Sequence, residues 1–160
     1  MAVLTEKATE RRSTVNKAGG KGEAYGMKVL CATIELALGD TLSTVDFGRI
    51  PSNARILSSS RMYNDDLAST TSPTFDIGLI NVDGNITDDP NAIGEAFSLS
   101  AAANDVLIVG DAANAGLPAW DFVSGQASDP GGEFIVQGRV EDDDTSTVGT
   151  ITLELHYYLD

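Results

Sequence analysis

Apolar and polar residues alternate with a period of two along most of the chain from Met27 onward, and this alternation is typical of half-buried β-strands. The clearest segments are "KVLCATIELAL", "PTFDIGLI", "EFIVQGRVE" and "GTITLELHYYLD". Weaker candidates are "STVDFGRI", "ARILSSSRMY", "AFSLS" and "DVLIVG". Gly, Asn, Asp and Pro separate most of these roughly eight short segments, which predicts an all-β sandwich or barrel.

The same alternation predicts which side chains are buried. On the first segment, one face carries Leu30, Ala32, Ile34, Leu36 and Leu38. The other face of that segment carries Cys31, Thr33 and Glu35. Because one face of each strand must pack against a second layer, the predicted core consists of Leu30, Ile34, Leu36, Phe75, Ile77, Val136, Ile151, Leu153 and Leu155.

Two long segments interrupt the strand pattern. The segment "NVDGNITDDPNAIGE" is interpreted as a polar turn region. The segment "DAANAGLPAWDFVSGQASDPGG" is too long for a hairpin turn and has room for a short helical turn before Pro118. Long connections among short strands fit a jelly roll better than a simple meander. The predicted fold is therefore a jelly-roll-like β-sandwich.

The N-terminal residues 1–26 form a separate region with no core-forming pattern. Four glycines and many small polar residues leave little to bury, so we predict an extended, flexible and basic arm. A short helix is possible over residues 4–12, and the glycines at 19, 20 and 22 would end it. Residues 27–160 are then predicted to fold as a single β-sandwich domain.

The net charge of −14 is divided unevenly between these two regions. Residues 1–28 carry six basic and three acidic side chains, whereas the rest of the chain has a net charge of −17. Such an acidic body repels nucleic acid and anionic membranes, so neither is an expected partner. A basic arm could instead reach an acidic protein surface. The alternative is a solvated chain end, since chain termini are commonly loose.

Targeting signals and disulfides are not evident. No apolar run approaches the roughly 20 residues that span a bilayer, and the N-terminus lacks the apolar stretch of a secretory signal. The single cysteine, Cys31, excludes an intramolecular disulfide. These features predict synthesis and folding in a cytoplasm.

The sequence offers few residues for catalysis. His156 is the only histidine and lies on the polar face of the last predicted strand, so triads and histidine-based metal sites lack their usual members. The chain is therefore predicted not to be an enzyme and to need no cofactor. The acidic run at residues 141–144 could coordinate Ca²⁺ through its oxygens. The alternative is a solvated loop whose charges discourage aggregation of strand edges.

Three of the four basic residues after Lys28 lie close together in sequence, at Arg49, Arg55 and Arg61. The turn signal Pro51-Ser52-Asn53 predicts that Arg49 ends one strand and that Arg55 begins the next. One face of the second strand would carry Arg55, Leu57, Ser59, Arg61 and Tyr63. This half-polar face is typical of a sheet that meets another chain. The alternative is local ion pairing with the nearby acids Asp46, Asp65 and Asp66.

A longer stretch carries a resemblance to a known group. The run Gly-Arg-Ile-Pro-Ser-Asn-Ala-Arg-Ile-Leu, followed by "SSSRMYND" and "SPTFDIGLINVDG", resembles small structural proteins of tailed bacteriophages. These are capsid decoration (cement) proteins and related head proteins, in which an "IP-x-N-A-x-I" turn joins two strands. The segment "DVLIVGDAANAG" and the hydrophobic C-terminal strand fit the same order. The resemblance covers roughly residues 27–160.

The resemblance implies a β-sandwich or jelly-roll domain that is usually trimeric and is attached to the exterior of a capsid. The implied partners are the major capsid protein of the shell and further copies of this chain. The implied location is the virion surface, after synthesis in the host cytoplasm, and no catalytic residue is carried over. The residues that we expect at the interfaces are Arg11, Arg12, Arg49, Arg55, Arg61 and Tyr63.

A second hypothesis is a carbohydrate- or receptor-binding β-sandwich, such as a module of a phage fibre or tail. Sugar sites typically use exposed aromatic side chains. The chain has one tryptophan, Trp120, and its four tyrosines are scattered or near a strand end. The aromatic pattern therefore favours the capsid hypothesis.

Overall fold

The computed structural model describes residues 5–7, 9–13, 26–110 and 113–159, with the side chains of residues 26–103, 105–110 and 113–159. The strands in these ranges are β1 (Thr5–Lys7), β2 (Thr9–Ser13), β3 (Lys28–Leu36), β4 (Thr44–Pro51), β5 (Ala54–Ile56), β6 (Arg61–Asn64), β7 (Thr74–Asn81), β8 (Asp89–Ser98), β9 (Ala103–Leu107), β10 (Glu133–Glu141) and β11 (Gly149–Leu159). The helix α1 (Ala119–Phe122) lies between β9 and β10.

The strands form two sheets that pack face to face. Sheet A has the order β1-β4-β10-β7-β8, and sheet B has the order β2-β3-β11-β6-β9, with β5 also paired to β11. From β3 onward the pairs are nested in the chain, because β3 pairs with β11, β4 with β10, β6 with β9 and β7 with β8. This nesting, wrapped into two layers, is a jelly roll. The predicted all-β sandwich is confirmed.

The core lies between the two sheets and follows the predicted alternation. All nine predicted core residues are buried. Leu30, Ala32, Ile34 and Leu36 of β3 point inward, opposite the inward row of β11. The prediction for Leu38 is wrong, because β3 ends at Leu36 and the Leu38 side chain is 47% exposed.

One small residue makes room for the largest side chains of the core. Phe47 and Phe75 are fully buried and pack edge to face, with their ring centroids 6.3 Å apart. A Cβ atom at Gly138 would overlap with the ring of Phe75 and touch that of Phe47. Gly138 occupies an inward position of β10, so its missing side chain leaves the space that the two rings fill.

Three of the sequence-based assignments need correction: a strand, a turn region and a helical turn. The segment from Ala54 to Tyr63 forms two strands, because backbone hydrogen bonds turn the chain between Leu57 and Ser60. The polar segment after Asn81 is only partly a turn, since β8 begins at Asp89 and includes Pro90. The helical turn follows Pro118 instead of preceding it, because a residue before proline disfavours helical backbone and Pro118 is the N-cap of α1.

Strand β8 is irregular, and this irregularity also explains the unexpected position of Pro90. Its pairing with β7 shifts register twice, and four residues of β8 lie between Gly94 and Asp89, the partners of Ile77 and Leu79. Proline is tolerated at such bulges, where it is not required as a ladder donor. The buried carboxylate of Asp76 accepts a hydrogen bond of 2.9 Å from the backbone N–H of Ala96, which has a left-handed φ of 58°. The bulged strand is therefore held by a side chain of its neighbour.

The described part of the N-terminal arm forms strands. β1 pairs in parallel with β4, and β2 pairs antiparallel with β3, so the helix considered for residues 4–12 is wrong. Extended backbone can pair with an open sheet edge, whereas a helix would leave the edges of β3 and β4 uncovered. In this register Arg11 lies opposite Cys31, and Arg12 lies opposite Leu30. Among the described residues, no helix is long and apolar enough to cross a membrane.

Candidate interaction surface

The outer face of sheet B carries three of the residues that the sequence predicts at interfaces. Arg55 lies on β5, and Arg61 and Tyr63 lie on β6, each with a half-buried side chain. The turn between the two strands keeps their alternation in phase, so the shared face predicted for these residues is present. The structure thus brings these three residues to one side of one sheet.

A polar network covers this outer face. The guanidinium of Arg61 pairs with the carboxylate of Asp105 on β9. The hydroxyl of Tyr63 donates to Glu154 on β11 over 3.5 Å. The hydroxyl of Ser59 and Nδ1 of His156 are hydrogen bonded at 2.8 Å. These side chains come from β6, β9, β11 and the turn between β5 and β6, so the face is polar and its side chains are held in position.

Arg55 donates to a backbone carbonyl, whereas Arg61 pairs with a carboxylate. Its guanidinium donates to the backbone carbonyl of Gly116 over 3.0 Å. The same loop is also held by backbone hydrogen bonds between Ile56 and both Gly116 and Leu117. Arg55 therefore fastens the long connection after β9 against the edge of sheet B, and its contact is within the chain.

Arg49 lies on the other sheet. It is near the end of β4 in sheet A, where its guanidinium lies 3.5 Å from the carboxylate of Glu133, and both side chains are about half exposed. The Pro51-Ser52-Asn53 turn carries the chain from sheet A to sheet B, so Arg49 and Arg55 belong to opposite layers. The structure therefore does not bring the three arginines together.

The acids nearest in sequence to these arginines bind other protein groups. Asp46 accepts a hydrogen bond of 2.7 Å from the side-chain amide of Gln137. Asp66 accepts one of 3.1 Å from the backbone of Ala68. Asp65 accepts two hydrogen bonds from the backbone and the hydroxyl of Thr150, which lower the pKa of its carboxyl below the ordinary 3.8. The ionised Asp65 carboxylate stabilises the fold at pH values above 3.8, and this stabilisation is lost as the pH falls through the lowered pKa.

The acidic run at residues 141–144 binds protein groups. Asp142 accepts from the hydroxyl of Thr74 at 2.6 Å, and Asp143 accepts from the backbone N–H of Ser72 at 3.1 Å. Asp144 accepts from the backbone N–H of Thr41 at 2.7 Å. The carboxylates thus point to different segments, and no group of three or more His, Cys, Asp or Glu side chains in the described ranges could hold a metal ion.

Three exposed apolar side chains, which sequence reasoning missed, lie in loops at one end of the sandwich. Leu38, Leu42 and Val148 are 47%, 52% and 56% exposed. The loops that carry them are joined by hydrogen bonds between the backbone of Gly39 and Thr145. We call these three side chains the apolar end. Leu42 has a left-handed φ of 72°, which is uncommon for a bulky residue.

A groove of about 510 Å³ lies beside the bulge of β8. Its polar lining includes Asp89, Asn91 and Glu95, and its aromatic lining consists of Phe97 and Phe122. The carboxylate of Asp89 already accepts a hydrogen bond of 2.8 Å from the backbone of Ser124. Trp120, the tryptophan considered for sugar binding, is not among the residues that line the groove and is partly buried against the core. The groove therefore has few exposed aromatic faces.

Comparison with known proteins gives one informative result. The sequence matches no protein-family model and no curated protein. The fold is similar to that of a chain in the solved structure titled "Capsid of Ralstonia phage GP4", with a TM-score of 0.57. The two chains are 19% identical, and the similarity covers 91% of this chain and 90% of the other. At this identity the similarity shows a shared fold over nearly the whole length of both chains.

Proposed function

We propose that this protein is a non-catalytic structural component of a phage virion that binds the exterior of the capsid and stabilises or decorates it. The observation that carries the proposal is the shared fold with a chain of a phage capsid structure, over nine-tenths of both chains. The resemblance of the "RIPSNARIL" region to capsid decoration proteins supports it independently of the fold. The partners in this proposal are the major capsid protein and further copies of this chain.

The described surface supports a binding role through its two contrasting regions. The outer face of sheet B is polar and held in place by hydrogen bonds, which suits specific contact with another protein. The apolar end exposes three large aliphatic side chains, and water would be released if a partner covered them. In this proposal the apolar end faces the shell, and the arginines contact neighbouring copies.

Electron microscopy of particles assembled with and without this chain tests the proposal. We expect added density on the outer surface when the chain is present, with the apolar end directed at the shell. Changing Leu42 and Val148 together to Ser should weaken attachment at least tenfold, because two exposed aliphatic groups would no longer be buried. A control is Met27→Ser, which removes an exposed apolar side chain at the opposite end of β3 from Leu38. Particles that carry the chain inside, or not at all, would refute the proposal.

The proposed assembly is a cyclic homotrimer with Arg49, Arg55, Arg61 and Tyr63 near the contacts between copies. Sedimentation at micromolar concentration and moderate salt should show a trimer. Arg61→Gln should shift the equilibrium toward monomer, because the partly exposed Arg61 guanidinium would no longer contribute to polar contacts between copies. Arg139→Gln makes the same substitution at a paired arginine outside the candidate set and should leave the trimer intact. Detection of monomer alone for the unmodified chain would contradict the trimer.

The groove beside β8 keeps the carbohydrate-binding hypothesis open as a second function. Carboxylate and amide groups near the partly buried ring of Phe97 could hydrogen bond to and stack on a sugar. A glycan array and an assay of adsorption to host cells test it. Specific glycan binding that is lost on Asn91→Ala, without added density on capsids, would favour this function over capsid attachment.

A further inference from the structure

The N-terminal segment covers two sheet edges at once. β1 adds to the edge of sheet A beside β4, and β2 adds to the edge of sheet B beside β3, with a single residue between them in sequence. Without the segment, β3 and β4 would each present a row of unpaired backbone groups on the same side of the sandwich. One extended stretch of chain therefore pairs with the edge strands β4 and β3 of the two sheets.

The connection from this segment to the domain is longer than its pairing requires. Ser13 is the register partner of Val29, so these residues lie on adjacent antiparallel strands. A turn of about two to five residues is enough to join such strands. The sequence instead supplies 15 residues between Ser13 and Val29. Pairing of the arm with its own domain does not explain the additional length of this connection.

The surplus is long enough to reach a second copy. A stretch of this length spans at most about 50–54 Å when it is fully extended. A domain of this size has a radius of gyration of about 14 Å, so its whole width lies within that distance. The connection can therefore carry β1 and β2 onto the sheets of an adjacent molecule.

We infer that residues 5–13 of one copy provide β1 and β2 to the open edges of β4 and β3 in an adjacent copy. The exchanged strands make the same backbone hydrogen bonds as they would within one chain, so no pairing is lost. In a cyclic assembly each copy donates one arm and receives one, so the edges of β3 and β4 are paired in every copy. This inference deepens the proposed oligomer and rests on it.

The charge distribution favours exchange between copies. Each body carries a net charge of −17 outside residues 1–28, so two bodies repel each other at close approach. The arm, residues 1–26, carries five basic and three acidic side chains, which is an excess of two positive charges. An arm placed on a neighbour brings this positive charge between the two acidic bodies. Within one chain the same arm would offset only the charge of its own body.

The register provides a direct test, because position 11 is the partner of the single cysteine, Cys31. Paired residues of antiparallel strands have Cα atoms about 4.5–5.5 Å apart, within the range of about 4.4–6.8 Å that a disulfide can join. The test uses the full-length Arg11→Cys variant, oxidised with glutathione disulfide. The two thiols lose two protons and two electrons to this oxidant as the S–S bond forms.

Exchange predicts that most of the disulfide joins different copies. Non-reducing gels and mass spectrometry should show covalent dimers and trimers that disappear on reduction. If the disulfide forms only within single chains, the inference is overturned. The pair Thr9→Cys and Thr33→Cys, with Cys31→Ser, probes a second position of the same register. If neither pair forms a disulfide, β2 does not pair with β3 in solution, and the inference also fails.

Two controls separate the possible outcomes. Arg11→Cys combined with Cys31→Ser leaves a thiol only on the arm, so covalent dimers of this variant would report contact between two arms. Sedimentation of the unmodified chain separates this inference from the proposed function. A trimer whose disulfides are all within single chains would refute exchange alone. A monomer would refute the proposed oligomer, and exchange with it.

Discussion

Leu153→Ala should lower the free energy of unfolding by about 2–5 kcal/mol, the range for a leucine truncated in an enclosed core. Leu153 is fully buried on β11, between β3 and β6. Its register partners, Ala32 and Met62, are buried as well. Because backbone pairing holds the strands on both sides, the surrounding chain cannot collapse into the space that the leucine leaves. The loss would be a large part of the roughly 5–15 kcal/mol that stabilises an ordinary domain.

Urea unfolding followed by circular dichroism measures this loss. Leu107→Ala is the matched control, because it makes the same chemical change at a side chain that is 50% exposed. The control should change the unfolding free energy by no more than about 0.5 kcal/mol. Equal effects of the two substitutions would show that the inner face of β11 is wrongly assigned.

Gly78→Ala should destabilise the protein by about 3 kcal/mol, the upper end of the usual cost of overpacking. A Cβ atom at position 78 would overlap with the backbone of Asp89 and Pro90, where β8 crosses the outer side of β7. A side chain in the way could rotate, but a paired backbone cannot. β8 would have to shift away, which weakens its pairing with Leu79 and the hydrogen bond from Ser124 to Asp89.

Gly110→Ala separates this overlap from the general effect of replacing a glycine. A Cβ atom at Gly110 meets no described atom within 4 Å, and its φ is not in the left-handed region. The substitution should therefore be neutral or slightly stabilising, since alanine reduces the entropy of the unfolded chain. Thermal unfolding of both variants provides the comparison. Equal stability of the two variants would mean that β8 does not cross β7 closely.

Sequence alternation was sufficient to predict the main strands and their buried faces. β10 has the predicted bounds, β11 agrees with the prediction over the described residues Gly149–Leu159, and all nine predicted core residues are buried. The physical reason is local, because a strand packed on one side must alternate apolar and polar residues along its own length. The pattern is less informative at strand ends. Leu38 continues the alternation of β3 but is exposed, because the chain has already turned away.

Alternation could not predict which strands are neighbours. A period of two identifies the inner face of a strand but contains no information about its partner. The nested pairs, the pairing of the arm with β3 and β4, and the crossing of β8 over Gly78 all join residues far apart in sequence. β8 was also hard to recognise because its bulges break the period that reveals a strand.

The candidate surface also combines features predicted from local sequence with features decided by contacts between distant residues. The sequence alone predicted that Arg55, Arg61 and Tyr63 share a face, because that depends on spacing within a short stretch. Their partners depend on the tertiary structure, which pairs Arg61 with Asp105. The sheet crossing after Pro51 also places Arg49 on the opposite layer, beside Glu133. Local composition and periodicity thus determine the fold class and the orientation of side chains. Contacts between distant residues, which close only when the sheets pack, determine the partners and the surfaces.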